Sequence, residues 1–307
     1  MRAIIAAIIV WLAGALGASA QAPLAVVPYK VTSEGSIAID VMVEGKGPYL
    51  FILDTGATLS LVFENFARAA NPPRAEGPSL RILSISGARL FEPYLIGELK
   101  AGVVLARAHA GVVLPDWDAP RATPAGIIGL DILENFAVAV DHAAKTIAFY
   151  DRAGLPEAVT ARMSKISMKR TRYEPTGAEL FTVRGRINGE PIDFIVDLGL
   201  ATTLINYAAA DALFTGTLSV ATGRTPTTGT RLDDVFDDRT RVNAGIMRSI
   251  SVGAKRWSRK PVWIYDAPLF DELGVRRLAY GLLGADLLAE QDVAIDFAAK
   301  KLYFGRR

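Results

Sequence analysis

The sequence predicts an all-β protein, mainly strands with short helices, built as two homologous β-rich lobes related by a pseudo-twofold axis. Two internal repeats and a strand periodicity carry that prediction. Residues 126–152, GIIGLDILENFAVAVDHAAKTIAFYDR, match residues 281–307, GLLGADLLAEQDVAIDFAAKKLYFGRR, at 12 of 27 positions with a fixed offset of 155. Upstream, Pro48–Gly56 (PYLFILDTG) is echoed by Pro191–Gly199 (PIDFIVDLG) at an offset of 143, so the second copy holds twelve extra residues between its motifs. Two matched motifs in the same order mark two copies of one unit. The lobes are expected over 24–155 and 170–307, joined near Leu155–Met168.

Each lobe is read as strands in turn. Ile37, Ile39, Val41 and Val43 alternate with polar or small residues, the period of a half-buried strand. A turn over Glu44–Pro48 leads to an almost wholly apolar strand, Tyr49–Leu53. The second lobe repeats this with Phe181–Ile187, the hairpin dipeptide Asn188-Gly189 and Ile192–Val196. Short helices are expected over Phe63–Ala70 and Asn206–Leu213. Val138–Val140 and Thr146–Phe149 form a further hairpin, repeated within Val293–Phe304. Segments 71–123 and 214–278, with Gly, Pro and short apolar runs, read as less regular and as the place for loops and a flap.

Composition narrows the chemistry. The 307 residues carry 34 basic and 32 acidic side chains, a net charge of +2, which gives no basic excess for a nucleic-acid partner. Cysteine is absent, which removes thiol nucleophiles, disulfides and thiolate metal sites. Only two histidines occur, His109 and His142, so carboxylates are left to do the work. Residues 1–20 combine Arg2, an apolar run from Ala3 to Gly17 and the small-residue site Ala18-Ser19-Ala20. That reads as a signal peptide, giving a periplasmic or secreted bacterial protein with no membrane attachment once it is cleaved; an uncleaved anchor is the alternative.

Asp54-Thr55-Gly56 closes one apolar strand and Asp197-Leu198-Gly199 its repeat, with Ser60 and Thr203 six residues beyond each aspartate. A carboxylate ending a buried strand is costly unless it is hydrogen-bonded or functional. A twofold axis between the lobes would bring the two loops face to face. With the signatures Ile127-Ile128-Gly129 and Leu282-Leu283-Gly284, the chain resembles the retropepsin-like aspartic peptidases in a tandem two-lobe, exported bacterial form. The resemblance implies retropepsin-like or pepsin-like β-barrel lobes and an aspartic endopeptidase with a catalytic pair, Asp54 and Asp197. Loop support would come from Thr55, Gly56, Ser60, Gly129, Gly199, Thr203 and Gly284. It also implies a flap over the substrate, for which Ile82–Leu90 is the candidate, with Ser86 and Gly87 at its turn.

Under this resemblance the expected partner is a peptide or protein substrate. The chain is expected to work as a monomer by intramolecular lobe pairing, with no metal or cofactor. Leu198 departs from the family's Thr or Ser, so an impaired peptidase that only binds peptides is the alternative reading. Asp131 and Asp286 are read as loop-holding residues, and Asp141 and Asp296 as hairpin-turn residues. His142 is read as a surface residue, and His109 stands without a ligand-spaced companion. Lys255-Arg256 with Arg259-Lys260 around Trp257 reads as a solvated loop. Arg68, Arg74 and Arg81 read as surface charge.

Overall fold

The computed structural model describes residues 21–116, 124–174, 176–214, 230–233 and 239–305; the candidate signal segment lies outside the described residues. The first lobe runs β1 (Ala25–Val31), β2 (Ile37–Val43), β3 (Lys46–Leu53), β4 (Leu61–Phe63), α1 (Glu64–Ala70), β5 (Leu80–Ser84), β6 (Gly87–Phe91), β7 (Pro93–Ala101), β8 (Val103–Leu114), β9 (Gly126–Ile128), α2 (Leu130–Leu133), β10 (Phe136–Asp141) and β11 (Thr146–Asp151). Next come α3 (Glu157–Thr160) and β12 (Met163–Ser167), so the joining segment is itself structured.

The second lobe continues with β13 (Lys169–Arg172), β14 (Glu179–Ile187), β15 (Glu190–Val196), β16 (Leu204–Ile205), α4 (Tyr207–Phe214), β17 (Thr230–Asp233) and β18 (Arg239–Val252). It ends with β19 (Lys255–Ile264), α5 (Pro268–Glu272), β20 (Tyr280–Leu283), α6 (Ala285–Leu288), β21 (Val293–Asp296) and β22 (Lys301–Gly305).

The local reasons match between lobes. In β2 the residues Ile37, Ile39, Val41 and Val43 are all buried, as alternation along a strand requires. The β2–β3 and β14–β15 hairpins turn on one device, two consecutive residues with positive φ. These are Glu44 (48°) and Gly45 (71°) in one lobe, and Asn188 (51°) and Gly189 (101°) in the other. Such turns match the twist of the strands they join. In both lobes a short apolar strand then threads between its neighbours. β9 lies parallel to β3 and antiparallel to β4, while β20 lies parallel to β15 and antiparallel to β16. Flanked on both edges, β9 and β20 are buried along their whole length.

A sheet in the order β12-β22-β21-β10-β11-β1 ties the lobes together. At its centre β10 and β21 run antiparallel with Ala139 opposite Ala294. Those residues are repeat equivalents at the 155 offset, so the pseudo-twofold axis passes between them. Phenylalanines fill the core on both sides of the axis: Phe51, Phe66, Phe149, Phe181, Phe194 and Phe304 are all below 2% exposed.

Two expectations are corrected. The described parts of segments 71–123 and 214–278 hold long antiparallel hairpins, β7–β8 and β18–β19. Register shifts at Leu95/Gly97, Gly97/Leu99 and Leu99/Lys100 break the period-two signal of β7, which is why it reads as irregular. Trp257 is not in a solvated loop. It lies on β19 at 3% exposure, edge-on to Phe304 at 5.4 Å, with the Lys255 ammonium 5.7 Å from its ring centre.

Candidate active site

β3 ends at Leu53 and β15 at Val196, so Asp54 and Asp197 are the first residues beyond two buried strands. The Asp54 amide donates to the Ile128 carbonyl (2.9 Å) and the Asp197 amide to the Leu283 carbonyl (3.0 Å), pinning each to its threading strand. The chain then doubles back. The Gly56 and Ala57 amides donate to Asp54 Oδ1 at 2.8 and 3.0 Å, and the Gly199 and Leu200 amides to Asp197 Oδ1 at 3.0 and 2.9 Å.

The two carboxyls face one another across the axis and hydrogen-bond to each other. Each glycine sits against the carboxyl of the opposite loop. A Cβ on Gly56 would stand 2.5 Å from Asp197 Oδ2, and one on Gly199 would stand 2.6 Å from Asp54 Oδ2. Only a hydrogen fits at either place.

Burial pushes both acids up from the ordinary carboxylate range, against the pull of their backbone donors. Asp197 is raised well above it by burial and then by the charge of Asp54, because two close carboxylates resist joint ionisation. The pair therefore keeps one proton between them and titrates as a unit.

Behind the loops the lobes repeat one scaffold. The Ser60 amide and Oγ donate to Asp131 Oδ1 at 2.9 and 2.6 Å, and the Gly129 amide donates to Ser60 Oγ at 2.8 Å. The Thr203 amide and Oγ1 donate to Asp286 Oδ1 at 3.0 and 2.7 Å, and the Gly284 amide donates to Thr203 Oγ1 at 3.0 Å. The expected loop-holding role of Asp131 and Asp286 is what this geometry shows. Burial raises the Asp286 carboxyl to about 6, against the bonds from Thr203. Asp141 and Asp296 cap their hairpin turns by accepting from Ala144 and Ala299, each at 2.7 Å.

The junction beneath the pair is unequal. Thr55 Oγ1 donates to the Val196 carbonyl (2.7 Å) and accepts from the Leu198 amide (3.0 Å), so one hydroxyl bridges the lobes twice. Leu198, at 2% exposure, packs into the core and offers no hydroxyl for the reciprocal bridge. A residue the sequence does not flag makes another link: Ser36 Oγ donates to the Gly199 carbonyl at 2.7 Å. Ser36 stands outside both repeat motifs, so no signal in the chain points to it.

The flap candidate is a hairpin, β5–β6, in a two-stranded sheet of its own. Its turn residues are Ile85 and Ser86, and Gly87 (φ 133°) opens β6 opposite Ser84. The hairpin packs on α5 of the other lobe, where Arg81 pairs with Glu272 at 2.7 Å. Arg81 is thus an inter-lobe contact as well as a surface charge. Arg68 and Arg74 do lie at the surface, paired with Glu64 and Asp116 and with Glu92. His142 is exposed, as expected. His109 is not solitary: its Nε2 lies 3.1 Å from the Ser60 carbonyl and its Nδ1 lies 3.9 Å from Asp131 Oδ2. His109 and Ser60 are 49 residues apart, a separation at which sequence spacing carries no signal.

A family model described as aspartyl protease matches the chain twice, over residues 39–132 and 183–287. The matched segments contain both Asp-x-Gly loops and both threading strands. No curated protein matches the chain with significant similarity.

Proposed function

The chain belongs to the aspartyl protease family, and on that premise we propose that it is an exported endopeptidase that hydrolyses peptide bonds between Asp54 and Asp197. One observation carries the reading: the two carboxyls are hydrogen-bonded across a pseudo-twofold axis, each backed by the glycine of the opposite loop. In the proposed reaction the ionised Asp54 takes a proton from a water held between the carboxyls, and the water oxygen attacks the scissile carbonyl carbon. Asp197 gives its proton to the carbonyl oxygen. The tetrahedral adduct collapses as the C–N bond breaks: the proton now on Asp54 passes to the leaving nitrogen, and Asp197 takes back the proton of one adduct hydroxyl. A pair sharing one proton supplies base and acid together. An extended substrate would lie beneath the β5–β6 hairpin.

The same reading includes export directed by residues 1–20 and action as a monomer, since each lobe supplies one half of the site. The test is purified mature protein against a diverse peptide mixture. Asp54→Asn and Asp197→Asn should each lower cleavage by about 10²- to 10⁴-fold or more with the fold intact by circular dichroism. The double variant should be little worse than either, because the two act as one unit. Full activity in Asp197→Asn would reject the intramolecular pair.

Leu198 supports a second reading, in which the cleft grips an extended peptide without cleaving it. Tight peptide binding with no products, by wild type and Asp54→Asn alike, would favour that reading.

A further inference from the structure

His109 lies behind the first-lobe loop, away from the acid pair, and nothing in the proposed reaction uses it. It sits on β8, and its side chain is only 10% exposed. Its two ring nitrogens meet two different parts of the loop scaffold. A carbonyl oxygen can only accept, so the 3.1 Å contact to Ser60 is a hydrogen bond when Nε2 carries the proton. In the neutral ring that assignment leaves Nδ1 as a lone pair. Nδ1 faces Asp131 Oδ2 at 3.9 Å, the oxygen not engaged by Ser60. Neutral imidazole therefore points a lone pair at a carboxylate, and imidazolium points an N–H at it.

Gly111 keeps this arrangement possible. A Cβ there would stand 2.8 Å from the Ser60 carbonyl oxygen and 3.2 Å from His109 Nε2. Of the elements packed against β8, α2 carries Asp131, and β7 carries Gly97 directly opposite His109 and then Glu98, which pairs with Arg107 of β8. α1 contributes Glu64 and Arg68, paired with each other, and β6 carries Arg89.

The second lobe reaches a similar end by other means. There Lys260 of β19 lies near enough to Asp286 to favour its ionised form, while bonding Glu290 at 3.0 Å. Each loop-holding aspartate thus has a basic side chain from the matching strand of its lobe. One of those bases is a histidine, a side-chain type that can be neutral or charged, and the other is a lysine.

We propose that His109 is a positioning residue whose protonation locks the Ser60–Asp131–Gly129 scaffold, and with it the loop that carries Asp54, so that the first lobe is best organised at acid pH. This rests on the peptidase reading for its effect on rate, but its structural half does not. No bond to substrate is involved; the imidazolium acts through Asp131 and the Ser60 carbonyl.

The experiment has two arms. In the first, both histidine rings and the Ser60 and Gly129 amides are followed by NMR from pH 4 to 9 in catalytically silenced Asp54→Asn protein. The two amides should shift together with the His109 ring, and Asp131→Asn should move that titration while leaving His142 where it was. Amides that ignore the His109 titration would overturn the proposal, whether or not the protein cleaves peptides.

In the second arm, kcat is profiled against pH. His109→Gln keeps a neutral donor and should remove the histidine-linked fall in kcat, running about two- to tenfold below wild type at acid pH with little change in KM. His109→Lys carries a permanent cation, as in the second lobe, and should carry the acid-pH rate to higher pH. Identical profiles for wild type and both variants would overturn the proposal. Coupled amides in a protein that cleaves nothing would instead reject the peptidase reading and leave the lock in place.

Discussion

The two Asp-x-Gly loops have the same backbone and different chemistry at one position. Both aspartates accept from the two amides that follow, both glycines abut the opposite carboxyl, and both hydroxyl residues donate a hydrogen bond to an aspartate behind them. Between these shared features, Thr55 bridges the lobes with two hydrogen bonds where Leu198 fills apolar space. The second-lobe loop is thus held from across the axis, by Thr55 and by Ser36, and Leu198 offers the first-lobe loop no hydroxyl in return. Backbone geometry fixes where the carboxyls point. Side-chain bonds between lobes can then be unequal without separating them.

Substitutions test how far the likeness goes. The largest effect is expected where the lobes agree. Gly56→Ala and Gly199→Ala each drive a methyl group into the opposite carboxyl, and should cost about 1–3 kcal/mol as well as abolish cleavage. Equal losses in melting temperature would show the glycine sites to be equivalent. Next comes the unequal position: Thr55→Val leaves the buried Val196 carbonyl and Leu198 amide without their partner, a cost of about 1–3 kcal/mol by urea unfolding.

A pH series separates the scaffolds. Asp286, raised to about 6 in the fold, binds its proton more tightly there than in the unfolded chain. The folded state therefore holds more protons between about pH 4 and 6, so stability falls as pH rises through that window and levels off above it. The acid pair contributes in the same direction. Thermal melts of Asp286→Asn should show a shallower fall across that window than wild type.

The smallest effect is expected from Leu198→Thr. A regained bond of about 1 kcal/mol opposes the loss of buried apolar surface, about 1–2 kcal/mol, so melting temperature should barely move. A rise in turnover at unchanged stability would show that the missing hydroxyl limits the wild-type site.

Much of this was legible because it is local and duplicated. Asp54 and Asp197, Ser60 and Thr203, and Gly129 and Gly284 each occur twice in matched order, and duplication turns a weak tripeptide into a strong signal. The short threading strands, wholly apolar, announce their burial. The features that escaped depend on distant partners. Nothing near Ser36 announces a bond to Gly199, 163 residues on, and nothing near Arg81 announces Glu272, 191 residues on. The β7 pattern is scrambled by its own register shifts, and Trp257 is hidden among four basic neighbours that mask its strand.

The sheet that joins the lobes also constrains the order of events during synthesis. Its central pair brings β10 against β21, more than 150 residues later, and β12 waits for β22 before it has a partner in that sheet. The sheet junction between lobes cannot form until the chain beyond Val293 has emerged. Non-local pairing of this kind makes folding slow, and it keeps the first half unpartnered until the second is made. A chain that cannot close its central sheet early remains open at its edges for longer. Deleting β21 and β22 should accordingly leave a soluble-phase intermediate with β10 as a bare edge, prone to pair with a second copy of itself.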